Sequence, residues 1–279
     1  MDVWVRVPLP AQMKVPKYKL YLFIVLYIAQ THAHAQTTIK HKTIDEGLDH
    51  YSISSTYDSY TFTIHIFKIN SEFYDFRLLN KSENEKTNLS VDRWVEKYNL
   101  DGAINAGMFQ ADNSKNVGYM KNFSHINNNS KKSSYKSVLA FNRKNNKTEG
   151  PRLFDLSCDS WSYIYNNYNT IIQNYRTISC KSLNDLWSKN NMRTPMALVA
   201  SDLENNIYFI FTAYSTTVSM LNKLLLSLDF NIQRIMYLEG GSQASISIDT
   251  NNYKFSKSGA IINEYLSPIP NVIGFTRKD

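Results

Sequence analysis

One segment of the chain combines a carboxylate, two adjacent glycines and a hydroxyl: Glu239-Gly240-Gly241-Ser242. It follows the short apolar run 235–238, which predicts a buried strand. A carboxylate at the end of a strand stands on a rigid support, where it can act as an acid or a base. The glycines leave their backbone N–H groups open to a ligand, because they carry no Cβ. A hairpin turn with a solvated glutamate fits the same four residues equally well.

Two further segments place a polar side chain at the edge of an apolar stretch. Asn105 follows the apolar pair 103–104 and stands two positions before Gly107. Asparagine can donate and accept at once, so it could hold a hydroxyl or a phosphate oxygen, although a turn asparagine more often bonds its own backbone. Arg193 precedes the apolar run 195–200. Its planar guanidinium suits a phosphodiester, although a lone arginine is more often a solvated surface charge.

In this order, the segments AINAGMF (103–109), RTPMALVA (193–200) and YLEGGSQAS (237–245) resemble the phosphodiester glycosidase family. The resemblance extends from about residue 44 to the C-terminus. It implies an enzyme that releases a sugar from a phosphodiester, with the three segments lining one cleft. The resemblance carries over six site residues: Asn105, Gly107, Arg193, Glu239, Gly240 and Gly241. With Ser242 added as a further donor, we expect Glu239, Arg193 and Asn105 to be catalytic, and Gly107, Gly240, Gly241 and Ser242 to bind the substrate.

Three positions depart from the family pattern. Ala106 follows the asparagine where the family more often has glycine, and Gln243 follows the serine. Glu239 stands where the family pattern has aspartate. A glutamate carries its carboxylate one methylene farther from the backbone, which changes the expected placement of the substrate.

The implied reaction gives each residue a role. A sugar-1-phosphodiester already contains a fair leaving group, so the site mainly has to hold the phosphate and support positive charge on the sugar ring. Arg193 and the amides of 240–241 are expected to hold the phosphate, with Ser242 as a further donor. Glu239 is expected to activate water or to stabilise the sugar cation. Asn105 is expected to orient a sugar hydroxyl or a phosphate oxygen.

A second carboxylate is usual in a glycosidase, and Asp202 and Asp101 are the nearest candidates by motif. Asp202 fits the turn of a hairpin better than a site. The oxygens of Glu, Asp and Asn suit Ca²⁺ or Mg²⁺, but no ligand spacing demands a metal and no metal ligand is assigned.

Two other classes of protein are compatible with the same residues. A non-catalytic exported protein that binds phosphosugars or envelope glycans would use the same arginine and glycine turn, but would tolerate the removal of Glu239. A structural envelope protein would need no cleft. Sugar-stacking aromatic residues would serve an enzyme or a binder, although their spacing suits ordinary packing better. These aromatic candidates are Trp161, Tyr163, Tyr165 and Tyr168.

The N-terminus has the pattern of a secretory signal peptide. Lysines at 14, 17 and 19 precede the apolar run 20–29, and cleavage is expected before Gln36. We therefore expect a signal peptide over 1–35, with Met13 as an alternative start, and a periplasmic or secreted domain over 36–279. The apolar run of about 10 residues is too short to cross a bilayer, so no stable membrane insertion is expected after cleavage.

Composition bounds the remaining possibilities. The chain has 279 residues with 43% hydrophobic and 20% charged side chains, as in a soluble globular protein. The formal net charge of +7 includes four cations and one anion from the signal segment. The sequence contains no long block of Lys and Arg with interleaved aromatic residues, so nucleic-acid binding is not expected. The two cysteines, Cys158 and Cys180, could form a disulfide after export or remain separate buried thiols. Two cysteines exclude a Cys-rich zinc site.

Local patterns predict the elements that position these residues. Alternation over 60–69 predicts a strand with His65 in a structural role, and Ser90 could cap a helix that ends at Tyr98. Further expected elements are strands at 138–142 and 272–276, a hairpin of 195–200 and 207–212, a helix over 218–228 capped by Thr217, and a long surface loop over 113–136. With no internal repeat and no linker, the pattern predicts one α+β domain, a mixed or antiparallel twisted sheet with packed helices.

Overall fold

Antiparallel sheets make up most of the regular secondary structure of the described residues. The computed structural model describes residues 37–57, 60–189, 191–204, 206–260 and 266–279. The expected signal peptide over 1–35, with its cleavage before Gln36, lies outside these residues. None of the helices in the described ranges is long and apolar enough to cross a membrane.

The strands of the described residues are, in chain order, β1 (Thr37–Asp45), β2 (Leu48–Tyr57), β3 (Tyr60–Asn70), β4 (Tyr74–Asn80), β5 (Gly102–Asn105), β6 (Met120–Asn122), β7 (His125–Asn128), β8 (Ser137–Arg143), β9 (Arg152–Asp155), β10 (Tyr168–Asn174), β11 (Thr194–Ser201), β12 (Asn206–Thr216), β13 (Arg234–Gly240), β14 (Ser245–Thr250), β15 (Tyr253–Ser258) and β16 (Asn271–Arg277). The helices are α1 (Lys81–Asn84), α2 (Val91–Tyr98), α3 (Trp161–Asn167) and α4 (Val218–Ser227), and a 3₁₀ turn covers Gly241–Gln243.

These strands form three sheets within the described ranges. The first has the order β1-β2-β3-β12-β11-β13, the second β7-β6-β10-β8-β9 and the third β15-β14-β5-β16-β4. A central apolar core lies between the sheets, and aromatic side chains from all three meet there. Phe209 of the first sheet lies 5.6 Å from Phe275 of the third, and Phe76 of the third lies 6.2 Å from Phe141 of the second, measured between ring centroids.

One helix packs on the outer face of each sheet. Leu221 of α4 packs on the first sheet, Ile164 of α3 on the second and Trp94 of α2 on the third. Central strands are therefore buried on both faces. In β11, Met196, Leu198 and Ala200 face α4, whereas the residues between them face the central core. This double burial explains the unbroken apolar run in the sequence.

Most predicted elements are confirmed, although the fold is richer in strand than the α+β prediction implies. The predicted hairpin is the β11–β12 pair. Thr217 caps α4 by accepting a hydrogen bond from the Met220 amide at 3.1 Å. Ser90 precedes α2 as expected, but its hydroxyl bonds Asp92 and makes no side-chain cap.

The prediction of a long surface loop over 113–136 is wrong, because this segment contains β6 and β7 of the second sheet. Its asparagines are partly internal. Asn116 is buried, and its side-chain amide donates to the carbonyls of Gly118 and Gln173 at 3.1 and 3.3 Å. Amide side chains here satisfy buried backbone groups, so a polar composition does not mark an exposed loop.

Cys158 and Cys180 form a disulfide, which was one of the two alternatives left open by the sequence. Beside it, Arg176 donates to both carboxylate oxygens of buried Asp155 at 2.6 and 2.7 Å. The disulfide and this ion pair attach the segment 175–189 to the end of β9.

Candidate active site

The three motif segments meet where β13 ends. β13 pairs with β11 so that Gly240 lies opposite Met196. The Gly241 N–H donates to Thr194 Oγ1 at 2.9 Å, and Thr194 is the residue that follows Arg193. Asn105, at the end of β5, contacts the same turn from the other side, because its Nδ2 donates to the carbonyl of Gln243 at 2.9 Å.

Glu239 lies at this junction in surroundings that oppose its ionisation. Burial raises its pKa from 4.5 to about 7, and the hydrogen bond that the Gly240 N–H donates to Oε1 at 2.9 Å offsets only part of this effect. The pairing of Ala197 with Glu239 and of Leu198 with Tyr237 leaves Leu238 as a bulge just before the carboxylate. Bulges of this kind re-aim the side chains that follow them.

The two glycines of the turn are required for different reasons. A Cβ at Gly240 would lie 2.1 Å from the Tyr237 hydroxyl oxygen, so only glycine lets that ring approach. Gly241 has φ +69°, in the left-handed region that favours glycine. Both amides already have partners, Glu239 and the Thr194 hydroxyl. The expected open cradle of two free N–H groups is therefore absent from this turn in the described structure.

The side chain of Asn105 bonds the backbone on either side of Ala244. Its expected contact with a sugar hydroxyl or a phosphate oxygen stays a prediction. Its side chain is 1% exposed. Its Oδ1 accepts from the Ser245 N–H at 2.7 Å, while Nδ2 holds the Gln243 carbonyl. The amide therefore holds the three-residue segment 243–245, which follows the glycine turn, at both of its ends.

A buried asparagine, Asn174, connects Gly107 with the strand of Glu239. A Cβ at Gly107 would lie 2.7 Å from Asn116 Oδ1 and 2.9 Å from Asn174 Nδ2. Asn174 is fully buried and its Nδ2 donates to the carbonyl of Leu238 at 3.4 Å. The Asn174 side chain thus lies between Gly107 and the strand that carries Glu239.

Arg193 and Ser242 lie on the exposed side of the junction. The guanidinium carbon of Arg193 lies 5.0 Å from the centre of the Tyr60 ring, and the arginine side chain is exposed. Ser242 is exposed as well, and its carbonyl accepts from the Ser267 hydroxyl at 3.0 Å. The pairing of β11 with β13 places Arg193 near the glycine turn, while its guanidinium group packs on the Tyr60 ring.

Neither candidate for a second carboxylate belongs to this junction. Asp202 closes the β11–β12 turn, where it accepts from the Asn206 N–H at 3.0 Å and the Tyr208 hydroxyl at 2.7 Å. Asp101 precedes β5 at the end opposite Asn105, and its carboxylate accepts from the Arg277 N–H at 2.6 Å.

Among the residues described, no group of three or more His, Cys, Asp or Glu could hold a metal ion. Calcium or magnesium at the site stays an untested expectation.

The aromatic residues singled out in the sequence pack around α3, away from the motif residues. Tyr168 is fully buried, and the Trp161 ring meets Tyr119 edge-on at 5.1 Å. Lys121 lies 4.9 Å from the centre of the Tyr165 ring. These contacts agree with a packing role for Trp161 and Tyr168, whereas Tyr163 and Tyr165 are 44% and 39% exposed.

Sequence reasoning missed several residues that shape the site. Tyr237 borders Gly240, and Trp187 stacks on Tyr237 with ring centroids 5.5 Å apart. Gly259 packs so closely on the turn that a Cβ there would lie 1.9 Å from the Gly241 carbonyl oxygen. Tyr237 stands inside the motif and could have been identified. Trp187 and Gly259 come from distant segments with no local signal.

Two solved structures share this fold at low sequence identity. A hypothetical protein from Synechocystis aligns with a TM-score of 0.59 and 11% identity over 86% of this chain, which spans 64% of that protein's chain. The catalytic domain of zebrafish N-acetylglucosamine-1-phosphodiester alpha-N-acetylglucosaminidase, auto-inhibited by its pro-peptide, aligns with a TM-score of 0.55 and 13% identity over 90% of this chain and 85% of that chain. These likenesses concern the fold.

The family comparison rests on sequence and includes the motif segments. No curated protein matches the chain significantly. A family model described as phosphodiester glycosidase matches residues 98–276, which include the segments of Asn105, Arg193 and Glu239. Since the match covers more than half of the chain and agrees with the resemblance of its three motifs, this protein belongs to the phosphodiester glycosidase family.

Proposed function

We propose that the protein is an exported hydrolase that cleaves the bond between a sugar and phosphate in a sugar-1-phosphodiester. The observation that carries this proposal is Glu239, a carboxyl with a pKa raised to about 7 at the junction of the three family motifs. A group with this pKa is present in both protonation states near neutral pH, which suits proton transfer.

In the proposed reaction, water attacks the anomeric carbon as the carbon–oxygen bond to the phosphate breaks. The ionised Glu239 accepts the proton that the water loses, and the bonding electrons leave with the phosphate oxygen. The products are a free sugar and a phosphate monoester. The monoester is a good leaving group, so one carboxyl can suffice where ordinary glycosides require two.

Phosphate binding would require a change of partners at the glycine turn. The Gly240 N–H would exchange the Glu239 carboxylate for a phosphate oxygen, and the Gly241 N–H would exchange the Thr194 hydroxyl. Ser242 and Arg193 are exposed at the same turn, so their side chains can reach an arriving anion without leaving a packed interior. Asn105 would hold the turn in place during this exchange.

We propose export on two grounds. The segment 1–35 has the pattern of a signal peptide. The Cys158–Cys180 disulfide suits an oxidising compartment such as the periplasm or the medium.

The experiment is a turnover assay of the protein beginning at Gln36, on a panel of sugar-1-phosphodiesters, with release of free sugar as the readout. We expect Glu239→Gln to lower kcat by about 10²-fold or more. Arg193→Ala should mainly raise KM, by about tenfold or more, because it removes a charged hydrogen-bond donor. Glu72→Gln, an exposed carboxylate outside the site, is the matched control. Unchanged turnover in both site variants would refute these roles, and binding without turnover would favour the non-catalytic alternative.

A further inference from the structure

A row of aromatic rings leads away from the glycine turn. The Tyr237 hydroxyl borders Gly240, and the Trp187 ring stacks on Tyr237 at an interplanar angle of 23°. Tyr175 meets Trp187 edge-on with centroids 5.9 Å apart, and Tyr135 follows at 4.1 Å from Tyr175. The row therefore connects the site of Glu239 with a surface formed by the segment 175–189.

This surface is a depression of about 550 Å³ beside Trp187. The residues that line it are Tyr175, Leu186, Trp187, Lys189 and Asn191. Leu186 is 46% exposed, and Trp187 and Tyr175 are half-buried, so apolar surface faces solvent here. Lys189 adds an exposed ammonium group and Asn191 an exposed amide. Sites of this volume with aromatic walls and a few polar groups bind small organic ligands.

The chemistry of the lining fits a sugar ring that carries an anion. One face of a hexose presents C–H groups, which pack on aromatic rings, while its hydroxyls require amide donors and acceptors. Lys189 would attract a phosphate on the same unit. An apolar ligand would leave the lysine and asparagine unused, and a small inorganic anion would leave the aromatic wall unused.

The depression is held in shape before any ligand arrives. The Cys158–Cys180 disulfide attaches the segment 175–189 at residue 180. The Trp187 indole Nε1 donates to the Arg176 carbonyl at 2.9 Å, and Asn222 of α4 donates to Asp185 at 2.7 Å. A preorganised wall loses little entropy on binding, which favours recognition.

We infer that this depression is a subsite for a second sugar unit of the substrate, next to the unit on which Glu239 acts. The substrate class is then an oligosaccharide or glycan that carries phosphate, rather than a single sugar phosphodiester. The position of the subsite relative to catalysis rests on the proposed function, whereas the binding of sugar to it can be measured alone.

The test uses the full exported domain with Glu239→Gln, so that bound ligand is not consumed, on an array of phosphorylated and neutral oligosaccharides. We expect binding to phosphorylated oligosaccharides that Trp187→Ala weakens by about tenfold or more and that Trp187→Phe largely retains. Lys189→Ala should weaken binding of the phosphorylated members and leave that of the neutral ones unchanged. Tyr163→Ala, which removes a 44% exposed ring on α3, is the control and should change nothing.

Three results would overturn the inference: no binding to any oligosaccharide on the array, equal binding with and without the Trp187 ring, or loss of binding in Tyr163→Ala instead. Circular dichroism and a thermal midpoint for each variant separate loss of contact from loss of fold. Where Trp187→Ala does not fold, Trp187→Leu provides the answer, because it removes the aromatic ring and retains apolar volume. Binding through Trp187 without turnover of any phosphodiester would retain the subsite and remove the proposed reaction. Turnover of small phosphodiesters, together with oligosaccharide binding that does not change when Trp187 is substituted, would retain the proposed reaction and remove the subsite.

Discussion

Glu239 shows at the scale of one residue how a turn can tune a carboxyl. Burial opposes its charge, and a single backbone donor, the Gly240 N–H, supports it. Burial also raises the pKa of the neighbouring Tyr237, and the negative charge of Glu239 adds to that effect. The tyrosine therefore stays neutral beside the carboxylate, and Glu239 is the titrating group of this pair near neutral pH.

The raised pKa of Glu239 predicts a pH-dependent stability difference. A carboxyl with a folded-state pKa of about 7 and an ordinary value of 4.5 binds more protons in the folded chain, so its contribution to stability is present at low pH and is lost between pH 4.5 and 7. Glu239→Gln should raise the free energy of unfolding at pH 8.5 by up to about 3 kcal/mol, relative to its effect at pH 4.5. Urea denaturation at both pH values measures this, with Glu72→Gln as control. An effect of equal size at both pH values would contradict the prediction.

Gly240 predicts a steric coupling that a double-mutant cycle can detect. The Cβ of Gly240→Ala meets the buried Tyr237 hydroxyl, and overpacking of this kind destabilises by about 1–3 kcal/mol. Tyr237→Phe removes the colliding oxygen, so the double variant should be more stable than the sum of the single effects by about 1 kcal/mol. Strictly additive free energies of unfolding would show that the contact does not limit this position.

At the scale of elements, the segment 175–189 depends on a few fixed attachments to the sheets. The disulfide joins residues that are 22 positions apart, and the Arg176–Asp155 ion pair lies beside it. The indole of Trp187 is held by a hydrogen bond within the same segment. The aromatic wall beside Tyr237 therefore depends on covalent attachment far from Glu239.

Removal of this covalent link should weaken the protein measurably. The double variant Cys158→Ser with Cys180→Ser is expected to lower the free energy of unfolding by about 3 kcal/mol, the size typical for a loop of this length. The urea midpoint of this variant, compared with oxidised and reduced wild type, gives the measurement. The urea midpoint of reduced wild type should match that of the serine variant. A serine variant with the same midpoint as oxidised wild type would contradict the stabilising role of the disulfide.

A histidine pair links the first sheet to the third and predicts acid sensitivity. His50 Nε2 lies 3.1 Å from His65 Nδ1, and His50 Nδ1 lies 2.8 Å from the Tyr253 hydroxyl of β15. Burial lowers the pKa of both histidines to about 4, with further lowering by nearby Lys42 for His50 and mainly by His50 itself for His65. The unfolded chain then binds protons that the folded chain excludes below pH 6.5.

Stability should therefore fall as pH drops from 6.5 to 4, by up to about 3 kcal/mol for each histidine. His65→Gln should reduce that slope relative to the wild-type protein. Denaturation curves at half-unit pH intervals measure the slope. An unaltered slope in His65→Gln would show that acid sensitivity arises elsewhere.

Local sequence pattern predicted the elements with apolar periodicity, but neither the strands within 113–136 nor the contacts between distant segments. The doubly buried strand that contains Met196 and the helix capped by Thr217 have periodicities that predict them directly. The segment around Asn116 does not, because buried amides replace apolar side chains there. In the candidate site, both the residue pattern and the family resemblance predicted Glu239, but no local signal showed that Asn105 would be buried or that Trp187 would stack on Tyr237. Such contacts join distant segments, and their chemistry is not periodic in sequence.

At the scale of the whole molecule, the site is a product of three sheets closing on one core. Asn105 comes from the third sheet and Glu239 from the first, while Asn174 at the end of β10 brings the second sheet to the carbonyl of Leu238. Each strand end contributes one group, and no single sheet could supply the arrangement. The fold shared with the zebrafish catalytic domain at 13% identity shows that this architecture tolerates extensive sequence change.

The pH dependence of kcat/KM tests the central claim most directly. With a sugar-1-phosphodiester that the wild-type protein turns over, the profile from pH 5 to 9 should rise with an apparent pKa near 7, as Glu239 becomes ionised to accept the proton from water. Glu239→Gln should lower kcat/KM by about 10²-fold or more and abolish that step in the profile. A wild-type profile with no transition near pH 7, or a Glu239→Gln variant with the same profile and rate, would contradict the assignment of Glu239 as the catalytic carboxyl.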